Sequence, residues 1–412
     1  MKKLIALALV LATSAAMIAC NSTTEETTTA TTTPTPVVTT KKPNTDPKPE
    51  TEPAGPVAET PATGLAIADI FAKGKNLQTL IDQESVALTG MTPYGDAENQ
   101  TKIFNGTIKG DKLGGNLSGT AELTWKTTAP TTVNAYVVFT GNDSGDYGRL
   151  PYAWEFFGSN DDGATWTSID KVEISGVTKA NDAPFGYTVD TPAEYTSYKF
   201  AISAVSSDGV TATVGTGALQ MNEIVILGSG EGTTAETPVT DAAEIDAMIA
   251  GGTNLSANVK DPAVGENFGP WGDGKPENAF DGNTTGTKLG GNGNGTVTIT
   301  WTTDVETTVK NYVLYTGNDD ANNGRTPNTW VLFGSTDGEN WTIIDYVSES
   351  GIPNVNSTPF GFSVDKPAAY TQYTLCVMKA MGTDGNPYVP GQLQFNELVL
   401  IGDAAVAETP AE

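Results

Sequence analysis

Residues 102–159 of this chain align with residues 278–335 without a gap, and 29 of the 58 positions are identical. An internal repeat of that length means two copies of one domain. Whatever this sequence folds into, it folds into twice. The shared string reads F-x-G, K-L-G-G-N, T-W, T-G-N-D, G-R-x-P-x-x-W and F-G-S, then D-G-x-x-W, P-F-G and Q-x-N-E-x-V. What both copies keep is scaffold or shared site. What differs is drift or specificity.

Each copy opens with a short helical pattern, at 67–77 and 242–255, and the remaining signals are β. Residues 120–125 and 296–301 alternate apolar and polar with period two, the mark of a half-buried strand. Residues 133–140 and 309–316 are rich in Val and Tyr and end at Gly-Asn-Asp. Asn160-Asp161-Asp162-Gly163 and Thr336-Asp337-Gly338 read as hairpin turns leading to Trp166 and Trp341. Many short strands separated by turns predict an all-β chain of two tandem antiparallel sandwiches, each with a short N-terminal helix. At roughly 160 residues, each copy is long enough to bury a core without disulfides.

Composition narrows the function. The chain carries 22 Lys plus Arg against 49 Asp plus Glu, a formal charge of -27. Such a chain repels nucleic acid and anionic lipid, and suits neutral or cationic partners and divalent cations, or equally solubility at a crowded surface. It has no histidine, which removes the usual general acid–base and zinc-ligand side chain. Carboxylate-only catalysis, as in glycosidases, is the remaining enzymatic route. Of the two cysteines, Cys376 lies in the apolar run Leu375-Cys376-Val377-Met378 opposite Ala201 of the first copy, and reads as a small buried hydrophobe.

Lys2 and Lys3 precede an apolar stretch too short to span a membrane comfortably. It ends Met17-Ile18-Ala19-Cys20, which resembles the bacterial lipobox; the resemblance implies cleavage before Cys20 and acylation of it. Multiple acyl chains on one residue anchor stably. From 21 to 63 there are 15 Thr and 8 Pro in 43 residues and no aromatic, a composition that cannot bury a core. The organisation expected is therefore a lipoprotein signal at 1–19, a disordered stalk with lipidated Cys20 at 20–63, a first domain at 64–228, a linker at 229–240, a second domain at 241–402 and a disordered tail at 403–412. The Gly/Thr-rich linker is expected to let the domains move independently.

The order of elements becomes specific in the second copy. It runs Phe280-Asp281-Gly282, Thr316-Gly317-Asn318-Asp319, Arg325-x-Pro327-x-x-Trp330, Gly334-Ser335-x-Asp337-Gly338-x-x-Trp341 and Gln394-Phe395-Asn396-Glu397. It resembles the discoidin family, the coagulation-factor type C or galactose-binding-like fold, which includes the family 32 carbohydrate-binding modules. The resemblance implies jelly-roll sandwiches that bind glycans, or sometimes lipid headgroups, with loops at one end, and in many members a structural calcium. By that resemblance the calcium ligands would be Asp281, Asn283, Thr287 and Glu397 in the second copy. In the first they would be Asn105, Thr107, Asp111 and Glu223, a weaker set because Asn105 stands where Asp281 does.

Six of the seven tryptophans fall into repeat pairs, Trp125 with Trp301, Trp154 with Trp330 and Trp166 with Trp341, and read as core. Trp271 is the exception, in a turn-rich segment aligned with Tyr94, where an exposed ring would offer a flat face to a sugar and a packed one would cover the sandwich end. Asn142, Asp143 and Arg149 recur as Asn318, Asp319 and Arg325. A guanidinium beside amide and carboxylate acceptors suits vicinal hydroxyls, and equally an internal ion pair that pins a loop. Tyr147 has no aromatic counterpart in the second copy, so the two sites are expected to differ.

The expectation is a non-catalytic, monomeric, surface-anchored lipoprotein with tandem modules for extracellular glycans or polysaccharides, touching a bacterial membrane only through its lipid and binding no nucleic acid. An adhesin that binds other proteins or a host surface through the same loops is the alternative. A glycan-active enzyme comes third.

Overall fold

A computed structural model describes residues 56–405 apart from 107, 109–110 and 234. The signal segment, Cys20, most of the stalk, Thr107 and the end of the tail lie outside the described residues.

The two repeats build the same sheet in the same order. In the first, Lys75–Asn76, Thr216–Gly230, Leu113–Thr140, Glu194–Ser206, Leu150–Ser159 and Thr167–Val172 follow one another across the sheet. In the second the order is Thr253–Asn254, Glu397–Ala404, Val297–Tyr315, Ala369–Met381, Pro327–Ser335 and Thr342–Val347. The two layers of each sandwich come from one bent strand. The ladder of Val297–Tyr315 against Ala369–Met381 breaks between Thr302 and Thr307. Before the break the strand also pairs with Val259–Val264; after it the partners are Pro359–Ser363 and Glu397–Ala404. Leu113–Thr140 breaks likewise between Lys126 and Thr131. One strand thus serves both layers and turns the corner of the sandwich.

The periodicities explain the faces. Ala121, Leu123 and Trp125 are buried in the sandwich core and alternate with half-exposed Glu122 and Thr124. Beyond the bend alternation stops, because both faces are covered, and such strands read as continuous apolar runs. Tyr136 and Val138 face the core, while Ala135, Val137 and Phe139 face the helix Ile67–Phe71. In the second repeat Ile245 of helix Ala242–Ala250 lies against Val313, Val399 and Ile401 in the same way. Both helices are shorter than the sequence pattern suggests, because the chain must turn into the edge strands Lys75–Asn76 and Thr253–Asn254.

Four paired tryptophans, Trp125, Trp301, Trp154 and Trp330, are core as expected. Trp166 and Trp341 are not; both are half-buried on the sheet's outer side. Trp166 packs beneath the Lys199 ammonium, 5.1 Å from the ring centre, and Trp341 donates its indole N–H to Gly338.

Three expectations about connections need correcting. Residues 56–63 do not all belong to a free stalk, since Ala58 bridges Ile174 and Ala62 bridges Gly186. The segment 229–240 is not a free linker, since Val239 bridges Gly361 and Glu236 N–H donates to Glu349. Nor are the repeats independent. Ile67, Ile70 and Phe71 of the first share one buried cluster with Val331, Phe333, Ile343, Cys376 and Met378 of the second. The Phe71 and Tyr346 rings lie 4.1 Å apart, and Lys75 pairs with Glu349 at 2.8 Å. The cause is a local change in patterning. Val331 stands opposite Cys376 where the first repeat has Glu155 opposite Ala201, so the second repeat presents an apolar outer face that needs cover. Cys376 is buried as expected, but in this shared cluster.

Candidate functional site

At the loop end of the second repeat the backbone first places an arginine. Gly324 and Arg325 both take left-handed backbone angles, φ +69° and +84°, and Gly148 and Arg149 repeat this at +68° and +63°. A non-glycine residue held there is strained, and such strain clusters at functional sites. The conformation is held by the strands Gln392–Phe395 and Thr216–Gly230: Arg325 O accepts from Gln394 N–H, and Arg149 O accepts from Gln220 N–H.

The guanidinium is then fixed from several sides. Arg325 Nε donates to Gln392 Oε1 at 2.9 Å and Nη1 to Gln394 Oε1 at 3.3 Å. Asp319 Oδ2 lies 3.7 Å away. The Trp271 ring lies over it, 4.8 Å from its centroid. Lys288 donates to Asn318 and Asp319, each at 2.8 Å. Partial burial pushes the Asp319 carboxyl upward, but hydrogen bonds from Lys288 and Gln394 and the two nearby cations outweigh it and hold it below its usual range. Trp271, Lys288, Asn318, Asp319, Arg325 and Gln392 line an open, mostly polar cavity of about 550 Å³ together with Asp273 and Asn278. The expected group of Trp271, Asn318, Asp319 and Arg325 is therefore brought together.

The first repeat assembles the same parts differently. Arg149 lies between Tyr94 and Tyr147, 5.6 Å and 4.7 Å from the ring centres, and both rings are exposed. Asp143 reaches Arg149 at 3.4 Å, and Lys112 bridges Asn142 at 2.8 Å and Asp143 at 3.5 Å. A Cβ on Gly114 would meet the Glu98 carboxylate, whereas a Cβ on Gly290 would meet the Trp271 ring. One copy thus covers its floor glycine with an acid and the other with an indole. The buried Gln220 amide has no hydrogen-bond partner among the described residues, while its counterpart Gln394 donates to Asp319 and Asp320.

Lys112, Lys288, Gln392 and Glu98 are site residues that the sequence reading did not single out. The lysine was visible in the shared K-L-G-G-N string. Gln392 and Glu98 carry no such signal, because each joins the site only through the fold.

The candidate cation loops lie beside these sites. In the second repeat Asp281 accepts from Asn283 N–H at 2.8 Å and from Thr287 Oγ1 at 2.5 Å. Glu397 Oε2 accepts from Gly282 N–H at 3.0 Å, while its Oε1 is buried without a partner, as is Ser256 Oγ. Burial, with the Asp281 charge adding to it, pushes the Glu397 carboxyl up to about 8 despite the Gly282 hydrogen bond. Among the described residues neither acid has a Lys or Arg partner. An orphaned oxygen next to uncompensated charge, with Asn283 and Thr287 at hand, fits a hard cation. No three Asp, Glu, His or Cys side chains converge among the described residues, so such an ion would lean on two carboxylates and neutral oxygens.

Among its described residues the first repeat does not offer that set. Asn105 donates to Asp111 Oδ2 at 3.0 Å, and Lys102 pairs with the same oxygen at 3.1 Å. Glu223 accepts from Gln78 at 2.6 Å, from Gly106 N–H at 2.9 Å and from Ile224 N–H at 3.2 Å.

What the fold and this geometry define is a tandem β-sandwich protein with an aromatic–guanidinium constellation at the loop end of each sandwich. No protein-family model matches the chain, and no curated protein matches it. Solved structures do. The paired family 32 modules of Clostridium perfringens ZmpB in complex with GalNAc align at a TM-score of 0.32 and 11% identity, over 82% of this chain and 94% of theirs. A fucolectin from striped bass (Morone saxatilis) serum aligns at 0.29 and 10%, over 81% of this chain and 100% of its own. The family 32 module of C. perfringens NanJ in complex with galactose aligns at 0.29 and 11%, over 36% of this chain and 97% of its own.

Proposed function

We propose that this chain is a non-catalytic glycan-binding protein whose two loop-end sites read neutral saccharides. The observation that carries the reading is Trp271 stacked on an arginine that Gln392, Gln394 and Asp319 hold at the wall of an open cavity, with a variant of the arrangement in the first repeat. A fixed guanidinium donates to adjacent hydroxyl oxygens, Asp319 and Asn318 accept from hydroxyl hydrogens, and the indole offers C–H groups an apolar surface. Because the fork is held before ligand arrives, little side-chain entropy is lost on binding.

The carboxylates argue for binding over hydrolysis. Asp319 is held ionised by its cations, so it is a poor general acid. Asp320, pushed up to about 6 by burial, is fully sealed and spends its oxygens on Gly317, Thr326 and Gln394. The same reading includes a calcium ion at Asp281 and Glu397 as a structural brace for the second repeat's loops, and attachment to a bacterial surface through acylated Cys20. Among the described residues no helix is long and apolar enough to cross a membrane.

The test is a glycan array probed with the full chain, with calcium and with EDTA, beside Trp271→Ala and Arg325→Ala. Signal lost in both variants supports the reading. A blank array with folded protein sinks it and favours a protein-binding adhesin.

A further inference from the structure

We propose that in the first repeat Lys102 and Gln78 occupy the electrostatic role that the second repeat leaves to a divalent cation, so that the chain binds one such ion and not two. The inference rests on the calcium reading of the second repeat.

The two loops are the same device with its charge moved. In the second, the acid is Asp281 and its hydrogen-bonded partner is Thr287. In the first, the amide of Asn105 takes the place of Asp281, and the acid is Asp111 in the place of Thr287. Relocating the acid brings it within reach of Lys102, whose ammonium sits 3.1 Å from Asp111 Oδ2. The second repeat has Asn278 at that position, and its amide is committed to the carbonyls of Asp273 and Lys288. A positive charge is therefore built into one loop and missing from the other.

The buried glutamate tells the same story. Glu223 and Glu397 end the shared Q-x-N-E string and are both fully buried. Asn76 and Asn254 occupy matching places on their edge strands, opposite Leu227 and Ile401. Two residues on from each stand Gln78 and Ser256, whose backbone N–H groups both donate to that asparagine. Gln78 is long enough to place its amide 2.6 Å from Glu223 Oε1. Ser256 is not, and both Ser256 Oγ and Glu397 Oε1 stay buried without partners. A buried polar oxygen without a partner is costly. Two independent differences thus give Asp111 and Glu223 of the first repeat their own partners, one supplying charge and one a side-chain hydrogen bond; among the described residues Asp281 of the second has no such charge and Glu397 no such hydrogen bond.

Calcium titrated calorimetrically into the EDTA-stripped full chain tests this. The expected stoichiometry is one, falling to zero in Glu397→Gln. The triple variant Lys102→Asn, Gln78→Ser and Asn105→Asp, the last restoring the acid, should raise it to two. A stoichiometry of two in the wild type, with one equivalent surviving Glu397→Gln, overturns the inference and leaves the second site standing. A stoichiometry of zero overturns the calcium reading itself and the inference with it. Should the triple variant fail to fold, Glu397→Gln decides the matter by melting: with the second site removed and the first repeat untouched, the chain's single unfolding temperature should be the same in calcium and in EDTA. A rise in that temperature with calcium in Glu397→Gln would overturn it.

Discussion

Asp345 accepts the hydroxyl of Tyr312 at 2.6 Å inside the second sandwich, and Asp170 accepts that of Tyr136 at 2.6 Å inside the first. Each tyrosine oxygen in turn accepts the indole N–H of Trp330 or Trp154 at 2.8 Å. Burial, then the charge of Asp365, pushes Asp345 up to about 8. Burial, opposed by the Tyr136 bond and reinforced by Asp190 and Glu59, pushes Asp170 up to about 6.

A pH dependence follows. The folded chain holds protons on these acids that the unfolded chain releases above about pH 4. Their contribution is fully present below that value and is lost as pH rises, through about 6 for Asp170 and about 8 for Asp345. Asp320 titrates in the same window, so the informative contrast is with Asp345→Asn, which mimics the protonated acid. Urea midpoints at fixed calcium should fall from pH 6 to pH 8 in the wild type and fall less in the variant.

Arg325→Lys should weaken glycan binding nearly as much as Arg325→Ala. Lysine keeps the charge but cannot meet Gln392 and Gln394 with one planar fork. A loss of about tenfold or more corresponds to roughly 1.4 kcal/mol. Equal binding by the lysine variant would show that charge alone matters.

Gly290→Ala should damage the same site from beneath. The added methyl would lie 2.9 Å from the Trp271 ring and lift it from Arg325. Indole fluorescence should shift and affinity should drop, with thermal stability nearly unchanged.

Phe71→Ala should uncouple the repeats. Phe71 is fully buried between them, and removing such a ring costs about 3–5 kcal/mol. Calorimetry should show one transition in the wild type and two in the variant. The Cys376 thiol, pushed up to about 12 by burial, should resist alkylation in the wild type until unfolding and react earlier in the variant.

Much of this was legible in the chain. Duplication and period-two alternation indicated paired sandwiches, and the Tyr94–Trp271 correspondence with the two arginines held in space. What stayed hidden depends on which face of a strand looks outward. Val331 in place of Glu155 is a drifted position in an alignment, but on the sheet's outer side it creates the contact between repeats. Trp166 and Trp341 misled for the same reason, since repetition marks a kept residue without saying which side of the sheet keeps it. Gln392 reaches Arg325 across 67 residues, and no local pattern announces that.

The shared cluster around Phe71 also makes the pair of sites a ruler. With helix Ile67–Phe71 seated on the second sandwich and the segment between the repeats bridged to Gly361, the distance from Arg149 to Arg325 is set by folding and not by the ligand. A polymer whose repeating units match that span would engage both arginines without freezing a hinge. One of the wrong period would engage only one, however well each unit fits.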